Sequence, residues 1–366
     1  SSHFRSRLKL ARGDPATAPH PSPLVAMLRA ASLLLVGAPL CAAHGSMSKP
    51  APWQDPDSKL GYTAAMRNAG CSGKRAPGEI EAAQSCISEY YTNYTFLKGE
   101  VTIPAGSPML TQQSPSWDQD WTGKEKMPWR APGTAPIFSP CGHDGGNPQG
   151  CPVGNPDPKG CALGGYGHGP DARTLPGNKN PEVWTAGGTV EVGWGITANH
   201  GGGYSYRLCK LPAEGRMGVT EECFQRTPLS LVGDKQWIQF DNGTRSEIPA
   251  RRTTEGTFPA GSQWTRNPVP GCFNPLPFGQ YKTNGNNGIC LGPQFEPPLP
   301  HMYGFNSIQF YGAKFPGHHI VDMLQVPSNL APGDYVVSWR YDCEQTSQVW
   351  NTCGDVRVVS AAEVHV

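Results

Sequence analysis

His44 has the most chemistry to offer of any residue near the start of the chain. A peptidase cut after Ala43 would leave it first, so that its α-amine and imidazole form one chelating pair. With free pKa values of about 7.7–8 and about 6.5, both nitrogens are available as neutral donors near neutral pH. One further imidazole completes a planar, T-shaped set of three nitrogens. Tetragonal nitrogen ligation suits Cu(II), which also stands at the top of the divalent affinity series. His200 can supply that imidazole. It ends an alternating run that continues through Ala198, just before the glycines at 201–203. His143 and His168, in Gly-rich loops, are the alternative second ligands. His318 and His319 are adjacent, and neighbouring strand residues face opposite sides. Asp342 and Glu344 share a strand face at i and i+2, but nothing else in the sequence builds a glycosidase site around them.

Such a set needs rigid strands to hold it, and three stretches alternate with period two as half-buried strands do. Over 189–197, Val190, Val192, Trp194 and Ile196 share a face opposite Thr189 and Glu191. Tyr204, Tyr206 and Leu208 follow the glycines, which reads as a hairpin. Tyr335, Val337, Trp339 and Tyr341 alternate with Ser338 and Arg340, and 355–359 is their expected partner strand. Ala331-Pro332-Gly333-Asp334 is the turn that starts this pair. Residues 104–182 and 241–307, crowded with Pro, Gly or Asn, read as loops. Helical spacing shows weakly over 79–91.

Composition agrees with this strand reading. The 366 residues include 45 Gly and 38 Pro, 83 together or about 23%, where about 12% is average. Only 16% are charged, which excludes a coiled coil, a long helical bundle or a charged disordered tail. Ten Trp, twelve Tyr and twelve Phe are enough for a real core. The expectation is all-β: one antiparallel, immunoglobulin-like or fibronectin-like β-sandwich over 44–366, with long disulfide-bonded loop insertions. No internal repeat and no Ser/Thr/Pro linker divides it.

The first 43 residues are set apart. Residues 1–26 contain no Met and read as leader. Met27 and Arg29 precede an apolar run at 30–40 and the small-residue end Cys41-Ala42-Ala43, a signal peptide too short to span a bilayer. A cut after Gly45 also satisfies the small-residue rule and would remove His44. The mature chain from His44 has 25 basic and 28 acidic residues, net −3. That balance, with no basic run and no interleaved stacking aromatics, excludes nucleic acid as a partner, and no second apolar stretch marks a membrane anchor. A secreted, extracellular monomer is expected.

Eleven cysteines remain, and in an exported chain they read first as disulfides. Nearest-neighbour pairing joins Cys71 to Cys86, Cys209 to Cys223, Cys272 to Cys290 and Cys343 to Cys353. Two of Cys141, Cys151 and Cys161 would form a fifth bridge. The odd count leaves one thiol over, and connectivity stays open. A zinc site at the trio, beside His143, is the rival reading, although the spacing matches no zinc signature. Asn93 and Asn242 begin N-glycosylation sequons.

Three segments carry a resemblance. Trp194…Thr197-Ala198-Asn199-His200…Tyr204-Ser205-Tyr206 resembles the second-histidine strand of lytic polysaccharide monooxygenases. Its pattern there is Trp-x-x-Thr-Ala-x-His followed by an aromatic-x-Tyr. His44-Gly45-Ser46-Met47, with Pro50 close behind, resembles that family's His-Gly opening. Gln348-Val349-Trp350-Asn351-Thr352-Cys353…Asp355-Val356 is similar to the fungal Gln-x-Tyr-x-x-Cys motif and to the bacterial Ala-Phe…Asp-Val segment. The three lie at the start, middle and end of the mature chain, in family order, and cover about a fifth of it.

The resemblance implies a copper ion held by His44 and His200, with Ala198 as the small residue crowding one axial face. It implies that Gln348 is the hydrogen-bonding residue that orients bound oxygen species. Trp350 stands where the family has an axial Tyr or Phe. Indole cannot ligate as a phenol oxygen might, but it can shield that face as Phe does, or pass an electron hole on, with Trp339 and Tyr341 nearby. The implied reaction is reductant-driven hydroxylation at C1 or C4 of a glycosidic linkage in cellulose, chitin or a related glycan. The partners are then a polysaccharide, an external electron donor, and hydrogen peroxide or dioxygen. Trp53, nine residues after His44 in a Pro-rich loop, is a candidate for sugar stacking, with an ordinary core or surface Trp as the alternative. Two other readings use the same scaffold: a polysaccharide-binding protein without catalysis, and a copper-binding protein for uptake or storage.

Overall fold

A computed structural model describes residues 44–53, 128–135, 137, 139–142, 171–199, 201–240, 242–271, 293, 295–303, 318–344 and 349–362, with the backbone alone at His44, Arg130, Thr197 and Ala198. All of them lie in one compact unit, Cys41–Val366. The weakly helical stretch at 79–91 falls outside the described residues, as does the segment before residue 44.

In chain order the strands are β1 (His44–Lys49), β2 (Glu182–Thr185), β3 (Thr189–Ala198), β4 (Gly203–Lys210), β5 (Ser230–Leu231), β6 (Lys235–Phe240), β7 (Arg245–Pro249), β8 (Arg252–Thr253), β9 (Trp264–Arg266), β10 (His318–Gln325), β11 (Gly333–Asp342) and β12 (Val349–Val359). One six-residue helix, α1 (Glu221–Arg226), follows β4; Thr220 caps it, its Oγ1 accepting from the Cys223 amide.

The strands form two six-stranded sheets. The first runs β1-β3-β10-β6-β7, with β5 also on β10; the second runs β2-β12-β11-β4-β9-β8. All pairings are antiparallel except β2 on β12, which is parallel. Val192, Trp194, Ile196, Ile238, Ile320 and Leu324 of the first sheet meet Tyr206, Leu208, Val337, Trp339, Val356 and Val358 of the second in one core. This is an all-β sandwich.

Two expectations need correction. The glycines at 201–203 do not close a hairpin, since β3 and β4 belong to different sheets. They carry the chain from one layer to the other. Gly202 has φ +92°, and a Cβ there would stand 2.1 Å from the Asp342 carbonyl oxygen. A side chain on Gly203 would strike the Trp129 ring at 2.2 Å. Close passage between layers, rather than a two-strand turn, is what requires glycine. The stretch 241–307, read as loop, contains β7, β8 and β9. These are short strands, two of them at sheet edges, too brief to show alternation. The expected partner of β11 is present as β12, with Val337 opposite Gly354 and Tyr335 opposite Val356.

Candidate metal centre

His44 opens β1, and its Cα partner on β3 is Ala198. Gly45 pairs with Ile196, so Thr197 is one residue too many on β3. An extra residue shifts a period-two pattern by one. Beyond it the interior position falls to Asn199, which is fully buried, and not to the even-numbered series that the sequence reading ran through Ala198 to His200. Asn199 Nδ2 donates to the Val269 carbonyl over 2.9 Å. Its Oδ1 accepts from the Gly201 amide and from Asn267 Nδ2, each at 2.9 Å.

His200 lies outside the described residues, but the chain on both sides of it is held. The Gly201 carbonyl accepts from the Tyr341 hydroxyl. The Gly202 carbonyl accepts from the Asn267 amide at 2.8 Å. Asn199, Asn267 and Tyr341 thus fix this crossing, and the sequence reading gave none of them that task. Asn199 stood inside the quoted motif and could have been found there. Asn267 lies in a Pro-flanked stretch with no periodic signal.

Gly45 explains the His-Gly opening physically. A Cβ on it would stand 2.7 Å from Trp339 Cη2 and 3.5 Å from Tyr341 Cδ1. The first residues of β1 therefore lie directly against core rings. Farther along, the Met47 amide donates to Thr352 Oγ1 at 2.9 Å and the Trp53 amide to the Cys353 carbonyl at 2.8 Å. Gly45 faces Tyr341, and Tyr341 pairs with Trp350 on β12, which sets this end of β1 toward Trp350. Trp350 is two residues from Thr352 and shares its face by alternation. It is fully buried within the core, with Tyr341 as its Cα partner. Gln348 lies outside the described residues.

Trp53 is no sugar platform. Only 1% of it is exposed, because it packs in a second cluster with Cys141, Cys353 and Phe224, under the Arg216 guanidinium at 5.3 Å. The bridge Cys209–Cys223 is formed as expected. Cys353, however, bonds Cys141 rather than Cys343. Its cross-strand partner on β11 is Ser338, five residues short of Cys343, so Cys343 lies too far along the ladder to reach it. Cys343 is buried. Cys71, Cys86, Cys272 and Cys290 lie outside the described residues, as do Asn93 and the alternative ligands His143 and His168. Asn242 is exposed at the β6–β7 turn, its Oδ1 accepting from the Thr244 amide and hydroxyl.

Asp342 is consumed structurally. It bonds Arg340 Nε at 2.7 Å and the Gly133 amide at 2.9 Å, while Arg340 also holds the Ala135 carbonyl. With the Cys141–Cys353 bridge, this cluster ties the segment near 128–142 to the second sheet. On the first sheet, Ser48 Oγ and His319 Nδ1 are 2.9 Å apart. Burial, then the neighbouring His318 and Arg245, push the His319 imidazole down to about 3, so it stays neutral. Among the described residues no three His, Cys, Asp or Glu converge as a metal-binding group. Among them, no helix is long and apolar enough to cross a membrane.

A primary amine and two imidazoles, the groups that residues 44 and 200 would offer once residue 44 is first in the chain, are donors that suit copper. No protein-family model matches the chain. Among solved structures it is similar to a lytic polysaccharide monooxygenase from Thermobia domestica in the Cu(I) state, at 14% identity and TM-score 0.27, over 64% of this chain and 83% of that one. It is also similar to a chitin binding domain from Burkholderia pseudomallei, at 10% identity and TM-score 0.34, over 87% of this chain and all of that one. A lytic polysaccharide monooxygenase from Streptomyces lividans matches at 14% identity and TM-score 0.20, over 54% and 70%. Likenesses this distant speak to neither activity nor ligand.

Proposed function

We propose that the exported chain, cut to begin at His44, binds one copper ion and oxidatively cleaves a polysaccharide such as cellulose or chitin. The observation that carries this reading is the β1–β3 register. His44 sits opposite Ala198, and residue 200 is two steps farther on, so the two Cα atoms are at most about 12 Å apart. Two histidine side chains can share one ion across that span. Asn199, the residue before His200, is turned inward and held by Val269, Gly201 and Asn267.

The remaining roles follow from position. Gly45 lets β1 lie flat on Trp339, which fixes where the amine and imidazole of His44 begin. Asn199, Asn267 and Tyr341 hold the backbone that carries His200. Ala198, the register partner of His44, would be the small residue beside a bound ion. Trp350 closes the inner side with an apolar ring whose N–H is a donor only, so it shields without ligating. Gln348, just before β12, positions small oxygen species by hydrogen bonding. Copper, when bound, supplies the one-electron chemistry with peroxide or dioxygen that hydroxylates the glycosidic carbon. An external donor provides the electrons, and the protein acts outside the cell as a monomer.

Ascorbate-driven incubation with chitin and cellulose tests this reading. Copper-dependent release of C1- or C4-oxidised oligosaccharides supports it. Tight copper binding with no oxidised ends on any glycan would leave a copper carrier, a reading favoured by the buried Trp350 in place of a phenol. Binding of glycan with no affinity for copper would leave a binding module.

A further inference from the structure

We propose that Asn242 carries an N-linked glycan, and that this glycan stands at the His44 end of the first sheet, where it limits the approach of a polysaccharide surface. The sequon Asn242-Gly243-Thr244 lies in the β6–β7 turn and has no part in the metal centre. Attachment requires an exposed side chain, an unengaged amide nitrogen and room around it. All three sequon residues are exposed. Asn242 Oδ1 accepts from the Thr244 amide at 2.9 Å and from the Thr244 hydroxyl at 2.7 Å. The side-chain amide is planar, so Nδ2 is turned the other way, and it has no protein partner among the described residues. A Cβ on Gly243 would meet nothing within 4 Å, so the space over the turn is open. Backbone bonds alone close the turn. The Phe240 amide donates to the Thr244 carbonyl over 2.8 Å, and the Gly243 amide to the Phe240 carbonyl over 2.9 Å. A glycan on Nδ2 leaves both intact.

Strand register gives the turn its place. Met47, Trp194, Ile320, Ile238 and Ser246 form one row across β1, β3, β10, β6 and β7. Each pair of neighbours in that row is antiparallel, so falling numbers in β1 and rising numbers in β6 run the same way. His44 and Asn242 therefore lie beyond the row at the same end of the sheet. Three strand spacings of about 4.8 Å separate β1 from β6, which puts the two residues on the order of 15 Å apart. A branched, hydrated sugar at that distance occupies space that a polymer face needs for close contact. This effect on docking rests on the polysaccharide reading of the His44 end; the modification does not.

The step balances as follows. The donor is a lipid-linked oligosaccharide diphosphate of the secretory compartment. Its bond from C1 of the first sugar to the phosphate oxygen breaks, and a C1–Nδ2 bond forms. The lipid diphosphate leaves with the bonding pair, and one Nδ2 proton passes to a base. No oxidation or reduction occurs.

Secretion of the full chain from a eukaryotic host tests both halves. Peptide N-glycosidase should lower the mass by whole sugar units and leave Asp at 242, labelled when digestion is run in heavy-oxygen water. Asn242→Gln and Thr244→Ala should each lose this glycan, and Thr244→Ser should keep it. Copper-free Asn242→Gln should adsorb to chitin or cellulose in a larger fraction than the glycosylated wild type. An unmodified Asn242 in the secreted protein would overturn the assignment. Equal adsorption of the two forms would overturn the effect on docking. Adsorption of neither form would overturn that effect together with the polysaccharide reading, while the mass measurement still decides the modification.

Discussion

The Met47 amide and Thr352 Oγ1, 305 residues apart in sequence and 2.9 Å apart in space, join the first strand of one sheet to the last strand of the other. The bond ties β1 to the middle of β12 across the two layers. It also orients β1 so that His44 approaches the Trp350 side of β12.

Thr352→Val keeps the shape but strands a buried amide. An unsatisfied buried donor costs about 1–3 kcal/mol. In a domain of this size each kcal/mol lowers Tm by about 2–4 °C. Differential scanning calorimetry should therefore show a fall of a few degrees, and Thr352→Ser should recover most of it.

Gly45→Ala places a methyl 2.7 Å from the Trp339 ring. Overpacking of this kind costs about 1–3 kcal/mol. The ring or β1 must shift, and because residue 44 is adjacent, copper affinity should fall along with Tm. A titration showing unchanged affinity would mean that β1 yields without moving its first residue.

The two described disulfides differ in the loops they close. Cys141–Cys353 spans 212 residues and Cys209–Cys223 spans 14. The chain-entropy account assigns about 3 kcal/mol to a 15-residue loop and about 4.7 to a 100-residue one. Removing both sulfurs of the long bridge should lower Tm more than removing both of the short one. Peptide mapping without reduction should recover 141 linked to 353, and no 343–353 link.

His319 makes stability depend on pH on the acid side. Its folded value of about 3 lies below the unfolded value of about 6.5. Between these the unfolded chain binds a proton that the folded chain refuses, so stability rises with pH through that window. His319→Gln removes this contribution, and its plot of Tm against pH from 4 to 7 should be flatter than the wild type's.

Period-two alternation exposed β3, β4 and β11, because long strands with one buried face repeat apolar residues visibly, and the partner strand expected at 355–359 is the last part of β12. It could not show which strands share a sheet. The glycines after His200 look the same whether they close a hairpin or cross between layers, and only the packing of Gly202 on Asp342 decides. The bulge at Thr197 was equally hidden, since one extra residue leaves the composition unchanged while moving the interior position to Asn199. The motifs marked both His44 and Ala198, but that the two stand opposite each other is visible only in the register of β1 on β3. Trp53 and Cys353 were misread because their partners, Arg216 and Cys141, come from distant segments that no local spacing reveals.

The central claim is that the amine of residue 44 and the ring of residue 200 grip one ion. Its most direct measurement is calorimetric titration of Cu(II) into three proteins: the chain beginning at His44, the same chain with one Gly added before it, and His200→Ala. One equivalent bound with submicromolar affinity by the first, and weakened by orders of magnitude in the other two, is the predicted result. Equal affinity in all three would contradict it.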